Sequence, residues 1–218
     1  MKILLVSDEE EASFWDYYRP GKLSAYDLIL SAGDLKPEYL SFLVTMANKP
    51  LLYVHGNHDG RYEKIPPEGC DCVDDRLMTV NGVRILGLGG SICYSGGAQQ
   101  YTEKQMARRI RKLRARIWRA GGVDIVLTHA PIAGLGDGED LCHRGFEVFR
   151  SFLEEFQPKF WVHGHMHLRY SNRNLRMQQC GDTIVVNACG HAVIELPVVK
   201  EPQKRDSFFS IFRKKTAL

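Results

Sequence analysis

Short apolar runs that end abruptly at Gly or at polar residues recur along the chain. A run of four to eight apolar residues closed in this way is typical of a strand covered on both faces, although periodicity alone does not distinguish it from a buried helix segment. Such runs occupy residues 2–7, 27–32, 51–54, 123–128 and 160–162. The pattern therefore predicts a set of buried strands.

Three other stretches have the signals of helices. Pro37 suits the first turn of a helix, where its missing N–H is no loss, and it predicts a helix to about residue 47. Residues 102–119 carry an apolar stripe at helical spacing, formed by Met106, Ile110, Leu113 and Ile117. A third helix is predicted over roughly residues 146–156.

The remaining strands are predicted from turn chemistry and from the end of the chain. Asn81-Gly82 between two apolar runs predicts a β-hairpin over residues 76–87, because Asn-Gly suits a tight turn. Residues 183–186 and 192–196 are expected to close the sheets as antiparallel strands. Strands and helices together predict an α/β fold.

The composition is that of an ordinary globular protein. Of the 218 residues, 44% are hydrophobic and 25% are charged, and no apolar run approaches the length of a membrane span. We expect one domain over residues 1–199 and a basic, flexible tail over 200–218 that contains Phe208, Phe209 and Phe212. The N-terminus lacks the features of a secretory signal, so a cytoplasmic location is the default. A homo-oligomer remains open.

Cysteine spacing and net charge give little information about function. The six cysteines are scattered without paired spacing, which predicts neither a disulfide framework nor a structural zinc site. The net charge of +3 is mild. The outer face of the helix at residues 102–119 is nevertheless rich in Lys and Arg, which predicts either a solvated surface or a nucleic-acid footprint.

Chemistry concentrates where the apolar runs end. The residues at these ends are Asp8, Asp34, Asn57, His58, Asp59, His129, His165 and His167. Because the carboxyl ends of strands line one edge in sheets with strand-helix alternation, we expect these side chains to converge. Each histidine alone could be an ordinary core or turn residue. Together the oxygen and nitrogen donors suit Mn²⁺, Fe²⁺ or Zn²⁺, and they suffice for a pair of ions.

The ordered set Asp8, Gly33-Asp34, Gly56-Asn57-His58-Asp59, His129 and Gly164-His165-Met166-His167 resembles the calcineurin-like metallophosphoesterase superfamily, and in particular its small prokaryotic phosphodiesterases. The resemblance implies a four-layer αββα sandwich of two mixed β-sheets flanked by helices, with a dinuclear metal centre. It also implies that Asp34 bridges both ions, that Asp8 and His167 bind one ion, and that Asn57, His129 and His165 bind the other. His58 would assist the leaving group, and Asp59 would orient His58.

The first motif departs from the family pattern. The family has Asp-x-His, whereas this chain has Asp8-Glu9-Glu10, so Glu10 stands where an imidazole is expected. One interpretation is that Glu10 coordinates the first ion and shifts the preference toward Mn²⁺ or Mg²⁺. The other is that Glu10 faces solvent and the first site is weak. We favour coordination, because a carboxylate beside a phosphate is unfavourable unless a cation neutralises it.

The resemblance predicts metal-dependent hydrolysis of phosphate esters, with diesters favoured over monoesters and Mn²⁺ favoured over Fe, Zn or Mg. In the expected mechanism a hydroxide that bridges the ions attacks phosphorus in line with the leaving oxygen. Position and charge make Arg61, His143 and Arg144 candidates for substrate contact. Two alternatives remain: a nuclease or RNA-end phosphodiesterase that uses the basic helix, and a catalytically weak scaffold for protein binding.

Overall fold

A computed structural model describes residues 1–168 and 176–197 of the chain, so the predicted tail at 200–218 lies outside the described residues. The α-helices in the described part are α1 (Pro37–Ala47), α2 (Glu103–Arg119) and α3 (Glu147–Phe156). The strands are β1 (Lys2–Ser7), β2 (Leu28–Ser31), β3 (Leu51–Tyr53), β4 (Asp71–Cys72), β5 (Leu77–Val80), β6 (Val83–Leu88), β7 (Ser91–Ile92), β8 (Gln100–Tyr101), β9 (Ile125–Thr128), β10 (Phe160–His163), β11 (Met177–Cys180), β12 (Thr183–Asn187) and β13 (Gly190–Glu195).

The first large sheet has the strand order β13-β1-β2-β3-β4. The strands β1 to β4 are parallel, and β13 pairs with β1 in the antiparallel sense. β1 and β2 are apolar on both faces because both faces are covered, as the run pattern predicts. The carboxyl ends of β1, β2 and β3 therefore lie side by side.

The second large sheet has the strand order β11-β12-β10-β9-β6-β5. Its four central strands are parallel, while β5 and β11 add antiparallel edges through hairpins. The predicted hairpin at Asn81-Gly82 joins β5 to β6, with φ values of 50° and 81° at the turn. β7 and β8 form a separate two-stranded pair.

Three apolar clusters fill the spaces between the layers. One lies between the two sheets and includes Ile3, Leu30 and Leu127. A second packs α2 and α3 on the second sheet, and its members include the complete predicted stripe of Met106, Ile110, Leu113 and Ile117. The third packs α1 on the first sheet. The order helix, sheet, sheet, helix confirms the four-layer αββα sandwich.

Two details differ from the sequence-based prediction. The segments at 183–186 and 192–196 are strands, but they belong to different sheets: β12 pairs with β10 and β11, and β13 pairs with β1. Their partners are distant in sequence, which local pattern does not specify. The short strands β4, β7, β8 and β11 were not predicted, because segments this polar or this brief lack an alternating signal. No helix in the described ranges is both long and apolar enough to span a bilayer.

Candidate metal centre

Three of the predicted site residues occupy left-handed backbone conformations just past the ends of strands. The φ angles are 60° at Asp8 after β1, 56° at Asp34 after β2, and 68° at His165 after β10. A non-glycine residue in this region costs roughly 1–3 kcal/mol, so the surrounding packing must hold it. β1 and β2 belong to the first sheet and β10 to the second. The site therefore forms where the carboxyl edges of the two sheets meet.

Glycines allow these turns to approach one another closely. Gly33 has a φ of 93°, and a Cβ there would overlap the backbone of Gly56. A Cβ on Gly164 would overlap the side chains of Ser7 and Asp8. The glycines in the Gly-Asp, Gly-Asn-His-Asp and Gly-His-x-His motifs thus bring the donor side chains within reach of one another.

We call Asp34, Asn57, His129 and His165 the inner group. His129 is fully buried and donates from Nδ1 to the Ala32 carbonyl at 2.7 Å, which turns Nε2 toward the site. That Nε2 lies 2.9 Å from Asn57 Oδ1 and 3.3 Å from Asp34 Oδ2. His165 donates a hydrogen bond from Nε2 to the Cys142 carbonyl at 2.6 Å. Its Nδ1 therefore keeps the lone pair that can bind a metal ion. One ligand atom each from Asp34, His129 and His165 lies within 4.8 Å of the others.

The inner group is strongly coupled electrostatically. Burial alone would lower the pKa of His129, but the Asp34 carboxylate raises it to about 9. Burial would likewise raise the pKa of Asp34, but His129 and the backbone N–H of His58 lower it to about 2. Burial is the main cause that lowers the pKa of His165 to about 3. Asp34 is thus ionised and His165 is neutral at neutral pH, which are the forms that bind metal.

The inner group fits a divalent cation. Its members offer carboxylate and amide oxygens and imidazole nitrogens, a donor set that suits first-row divalent ions. Each imidazole is oriented by a hydrogen bond from its other nitrogen to a backbone carbonyl, as is usual for histidine ligands. Two oxygen atoms face the same nitrogen of His129, an arrangement that a cation satisfies when it displaces the proton.

We call Asp8, Glu9, His167 and Cys189 the outer group. Asp8 is held by Ser7 Oγ and by the backbone N–H of His165, which lies 3.0 Å from both carboxylate oxygens. Burial is the main cause that raises the pKa of Asp8. Glu9 Oε1 lies 3.1 Å from His167 Nδ1, and both side chains are about a third exposed. The outer group is therefore more open than the inner one.

Glu10 pairs with Lys36 and shares a cavity with Asp8 and Asp34. Its Oε2 lies 3.0 Å from Lys36 Nζ, at the rim of a cavity of about 370 Å³. The cavity is lined by Asp8, Glu10, Asp34, Leu35, Lys36, His58, Asp59 and Arg61. The pair with Lys36 involves only one carboxylate oxygen, and coordination by Glu10 stays a prediction.

His58 and Asp59 differ in their surroundings. His58 is exposed in the cavity, and its backbone N–H donates to Asp34 Oδ1 at 2.8 Å. Asp59 is buried, and its Oδ2 accepts from the backbone N–H groups of Asp34 and Gly56 at 2.8 and 2.7 Å. Burial is the main cause that raises its pKa to about 6. Asp59 thus fastens two backbone turns together, and the expected hydrogen bond to the His58 ring is not formed between these two described residues.

The three candidates for substrate contact separate. Arg61 lines the cavity and pairs with Glu38 at 2.6 Å. His143 and Arg144 do not line it. His143 Nδ1 lies 2.9 Å from Asp140 Oδ2, and its ring centroid is 5.3 Å from that of His165, so it lies beside the inner group on a neighbouring loop.

Sequence reasoning missed three residues at the centre. Tyr94, between β7 and β8, accepts from the Asn57 amide nitrogen at 3.1 Å and so turns Asn57 Oδ1 toward His129. No sequence signal identifies it. Glu9 Oε1 lies 3.1 Å from His167 Nδ1, although Glu10 is the glutamate at the position of the family imidazole. Cys189 comes two residues after the end of β12, close to the position that the other donors have relative to a strand, and that signal could have revealed it.

Comparison with known proteins agrees with the family resemblance and with the fold. A family model for calcineurin-like phosphoesterases matches residues 1–169. A search of curated proteins finds no match. One solved crystal structure superposes with a TM-score of 0.64 at 15% sequence identity, covering 88% of this chain and 94% of that one. The crystal structure of TT1561 from Thermus thermophilus has a TM-score of 0.58 at 16% identity, covering 86% and 88%. At these identities the likeness carries the fold alone.

Proposed function

Because the chain belongs to the calcineurin-like phosphoesterase family, and is therefore a metal-dependent hydrolase of phosphate esters, we propose that it prefers phosphodiesters and works with two divalent ions. The observation that carries the proposal is the convergence of Asp34, His129 and His165 beside the exposed His58 at the edge of an open cavity. Donors for the cation and a group for proton transfer thus share one surface.

The charge of the cavity supports the preference for a diester. Two cationic side chains, Lys36 and Arg61, line the cavity, and each is paired with a glutamate, Glu10 and Glu38 respectively. The side chains therefore add little net positive charge to that of bound ions. A phosphodiester carries one negative charge and a monoester nearly two at neutral pH, so the weaker positive field favours the diester.

The metal assignment follows the donors. The inner group would hold one ion, and Asp34 would be shared with a second ion near Asp8 and His167. We propose Mn²⁺ for the inner ion, with Fe, Zn or Mg as the alternatives. The inner group offers oxygen ligands from Asp34 and Asn57 and imidazole nitrogens from His129 and His165, and such a mixed set suits this ion. Bound cations would supply Lewis acidity, which activates water and neutralises charge on the phosphate.

Residues of the chain itself would provide proton transfer and positioning. His58 lines the cavity, and its backbone N–H donates to Asp34, which supports a role for its imidazole in protonating the leaving oxygen. Asp59 keeps the turn before His58 in place through its bonds to the backbone of Gly56 and Asp34. We therefore propose His58 as the general acid and Asp59 as a positioning residue.

The experiment is a comparison of matched esters. Purified protein is stripped with a chelator, reloaded with Mn²⁺, Zn²⁺, Fe²⁺ or Mg²⁺, and assayed on bis-p-nitrophenyl phosphate and p-nitrophenyl phosphate. We expect metal-dependent hydrolysis that is faster with the diester. A faster monoester reaction would contradict the preference, and inertness with every metal would leave the scaffold function as the better account.

A nuclease or RNA-end phosphodiesterase is the second candidate, and α2 favours it. The outward face of α2 carries Lys104, Arg108, Arg111, Lys112 and Arg119, all of them exposed. The one carboxylate of this helix, Glu103, is engaged in accepting from the backbone N–H groups of Glu147 and Val148 at the start of α3. The basic face therefore has no acidic neighbour on its own helix, and such a face attracts a phosphate backbone.

Salt-dependent binding of a labelled single-stranded oligonucleotide tests this candidate. Changing Arg108, Arg111 and Lys112 to Gln should weaken binding and reduce the slope of log affinity against log salt by about 2. Changing Lys22, Lys49 and Lys64 to Gln is the matched control, because these lysines lie on other parts of the molecule. Equal effects of the two triple variants would contradict a specific role for α2.

A further inference from the structure

Cys189 brings a thiol to the outer group, together with an imidazole and a carboxylate. His167, Cys189 and Glu9 each offer one ligand atom, and these atoms all lie within 4.8 Å of one another. In a tetrahedral site with bonds of about 2.0 to 2.3 Å, the donor atoms lie roughly 3.3 to 3.8 Å apart. Small rotations of the partly exposed Glu9 and His167 side chains would therefore close this group around one ion.

A buried asparagine holds two of these donors in one frame. The Asn187 amide nitrogen donates to the carbonyl of Met166, next to His167, at 2.7 Å. Its Oδ1 accepts from the backbone N–H of Cys189 at 2.9 Å. Asn187 and Cys189 are each 3% exposed. Buried hydrogen bonds of this kind orient the ligands at metal sites, so Cys189 and the loop of His167 are fixed relative to one another.

The two glutamates after Asp8 point to different partners. Both glutamates follow the left-handed residue Asp8, which has a φ of 60°. Glu9 Oε1 lies 3.1 Å from His167 Nδ1, whereas Glu10 Oε2 lies 3.0 Å from Lys36 Nζ. Glu9 is therefore the glutamate that shares the surroundings of His167.

We propose that Glu9, His167 and Cys189 hold the outer ion, with the Cys189 thiolate in place of the imidazole that the chain lacks at position 10. A thiolate ligand selects softer ions, so this site takes Zn²⁺, Co²⁺ or Fe²⁺ in preference to Mn²⁺ or Mg²⁺. Together with the shared Asp34, these three side chains would make a set of four protein ligands. The inference rests on the proposed function in one respect, which is that a second ion belongs at this edge.

The centre would then be asymmetric. The inner group offers oxygen and nitrogen only, which suits Mn²⁺, while the outer group contains sulfur. Two different metals would occupy the two halves when both are supplied. Oxidation of the thiol would abolish the outer site and leave the inner one, because no member of the inner group is a cysteine.

Cobalt is the probe for the thiolate. A Co²⁺ ion bound to a thiolate has a sulfur-to-metal charge-transfer absorption in the near ultraviolet, and one bound only by nitrogen and oxygen lacks it. Chelator-treated protein is titrated with CoCl₂ in wild type and in Cys189→Ser. We expect the band in wild type and its loss in the variant.

Two other cysteines provide matched controls. Cys72 lies in a group with His55 and Asp74, and Cys142 lies in a group with Asp140 and His143, so each has the same three donor types. Cys72→Ser and Cys142→Ser should keep the band. A band that survives in Cys189→Ser, or that disappears in either control, would overturn the assignment.

The glutamates are separated by a second measurement. Competition with a chromophoric chelator gives the Zn²⁺ affinity of each site, and Glu9→Gln should weaken the outer site by about tenfold or more. On this assignment Glu10→Gln leaves both affinities unchanged, whereas coordination by Glu10, as the first motif predicts, requires that Glu10→Gln weaken the outer site. Circular dichroism checks folding, and if Cys189→Ser does not fold, Glu9→Gln decides, because Glu9 is partly exposed. Weakening by Glu10→Gln alone would contradict the proposal.

The two proposals fail in different ways. Metal-dependent hydrolysis without a thiolate band would remove this inference and leave the proposed function standing. A thiolate band that depends on Cys189, in a protein that hydrolyses no phosphoester with any metal, would do the reverse.

Discussion

The inner group lies between the two sheets, and each of its imidazoles is fixed by a hydrogen bond to a backbone carbonyl, Ala32 for His129 and Cys142 for His165. In the outer group, His167 meets the side chain of Glu9, and both are about a third exposed. All four inner donors occupy motif positions of the family, whereas in the outer group Asp8 and His167 do so and Glu9 and Cys189 do not. The residues that differ from the family motif thus lie in the half of the centre where the histidine and a neighbouring glutamate are partly exposed.

The largest test of this contrast is Asp34→Asn, at the point that both halves would share. Asp34 approaches His129 at 3.3 Å and accepts from the backbone N–H of His58. The change removes a charge that cations require, and we expect hydrolysis to fall by about 1,000-fold or more. Steady-state assays and metal analysis measure the loss. Asp182→Asn, on the exposed hairpin between β11 and β12, should leave both unchanged.

His58→Ala separates proton transfer from metal binding. We expect a loss of about 100-fold with an alkyl diester, because its poor leaving group needs the proton, and a loss below about tenfold with bis-p-nitrophenyl phosphate. Metal content should be unchanged. His191→Ala is the control, since His191 pairs with Glu11 at 3.0 Å and does not line the cavity. Equal losses with both esters would argue against the general-acid role.

Gly33→Ala tests how tightly the inner half is built. A Cβ would overlap the Gly56 backbone at a φ of 93°, so we expect the free energy of unfolding to fall by about 3 kcal/mol. Gly21 has a φ of 84° with no atom within 4 Å of a Cβ. Gly21→Ala should therefore cost about 1 kcal/mol, because it carries only the backbone strain. Denaturant titration compares them, and equal costs would contradict close contact between the strand ends.

The smallest expected effect concerns an ion pair at the amino end of β9, on the side of the second sheet away from the metal centre. Asp124, just before β9, accepts from Arg84 Nε at 2.8 Å and from Arg84 Nη2 at 3.1 Å. Burial would raise the pKa of Asp124, but Arg84, with Lys159, lowers it below 3.8 on balance. Asp124→Asn should reduce the free energy of unfolding by about 2 kcal/mol at neutral pH and leave hydrolysis intact.

The sign of the pH dependence follows from the lowered pKa. The Asp124 carboxylate stabilises the fold above the unfolded value of 3.8, and this contribution is lost as the pH falls through the folded pKa. The difference between wild type and Asp124→Asn should therefore stay constant from neutral pH down to near the unfolded value of 3.8 and shrink as the pH falls further, through the lower folded pKa. Lys159→Gln is a milder control, because its Nζ lies 3.5 Å away and is half exposed. A difference that stays constant below pH 3.8 as well would contradict the assignment.

The fold could be predicted from the sequence to the extent that local pattern encodes it. The buried strands, the three helices and the Asn-Gly hairpin have run lengths, apolar spacing or turn residues that act within a few positions of one another. The pairing of β13 with β1 was not predicted, because it joins segments nearly the whole chain apart. Sheet membership depends on such distant partners and leaves little local trace.

The convergence of the motif residues could be predicted, but their contacts could be predicted less well. Asp34, Asn57 and His129 lie close together, as their residue types and positions after strand ends predict, and their roles as metal ligands stay a prediction. The choice between Glu9 and Glu10 depends on a left-handed turn at Asp8, which changes the direction of the following side chains. Asp59 was assigned to His58 from adjacency, whereas buried N–H groups of the backbone are the partners that it meets.

The antiparallel pairing of β13 with β1 also bears on how the protein is made. Asp8 and Glu9 follow β1, and Cys189 directly precedes β13. During synthesis the residues of the inner group are available before Cys189 leaves the ribosome, and the first sheet remains open at β1 until β13 arrives. Domains with such distant pairings fold slowly and expose strand edges meanwhile. We therefore expect nascent chains truncated before residue 190 to require a chaperone at the β1 edge.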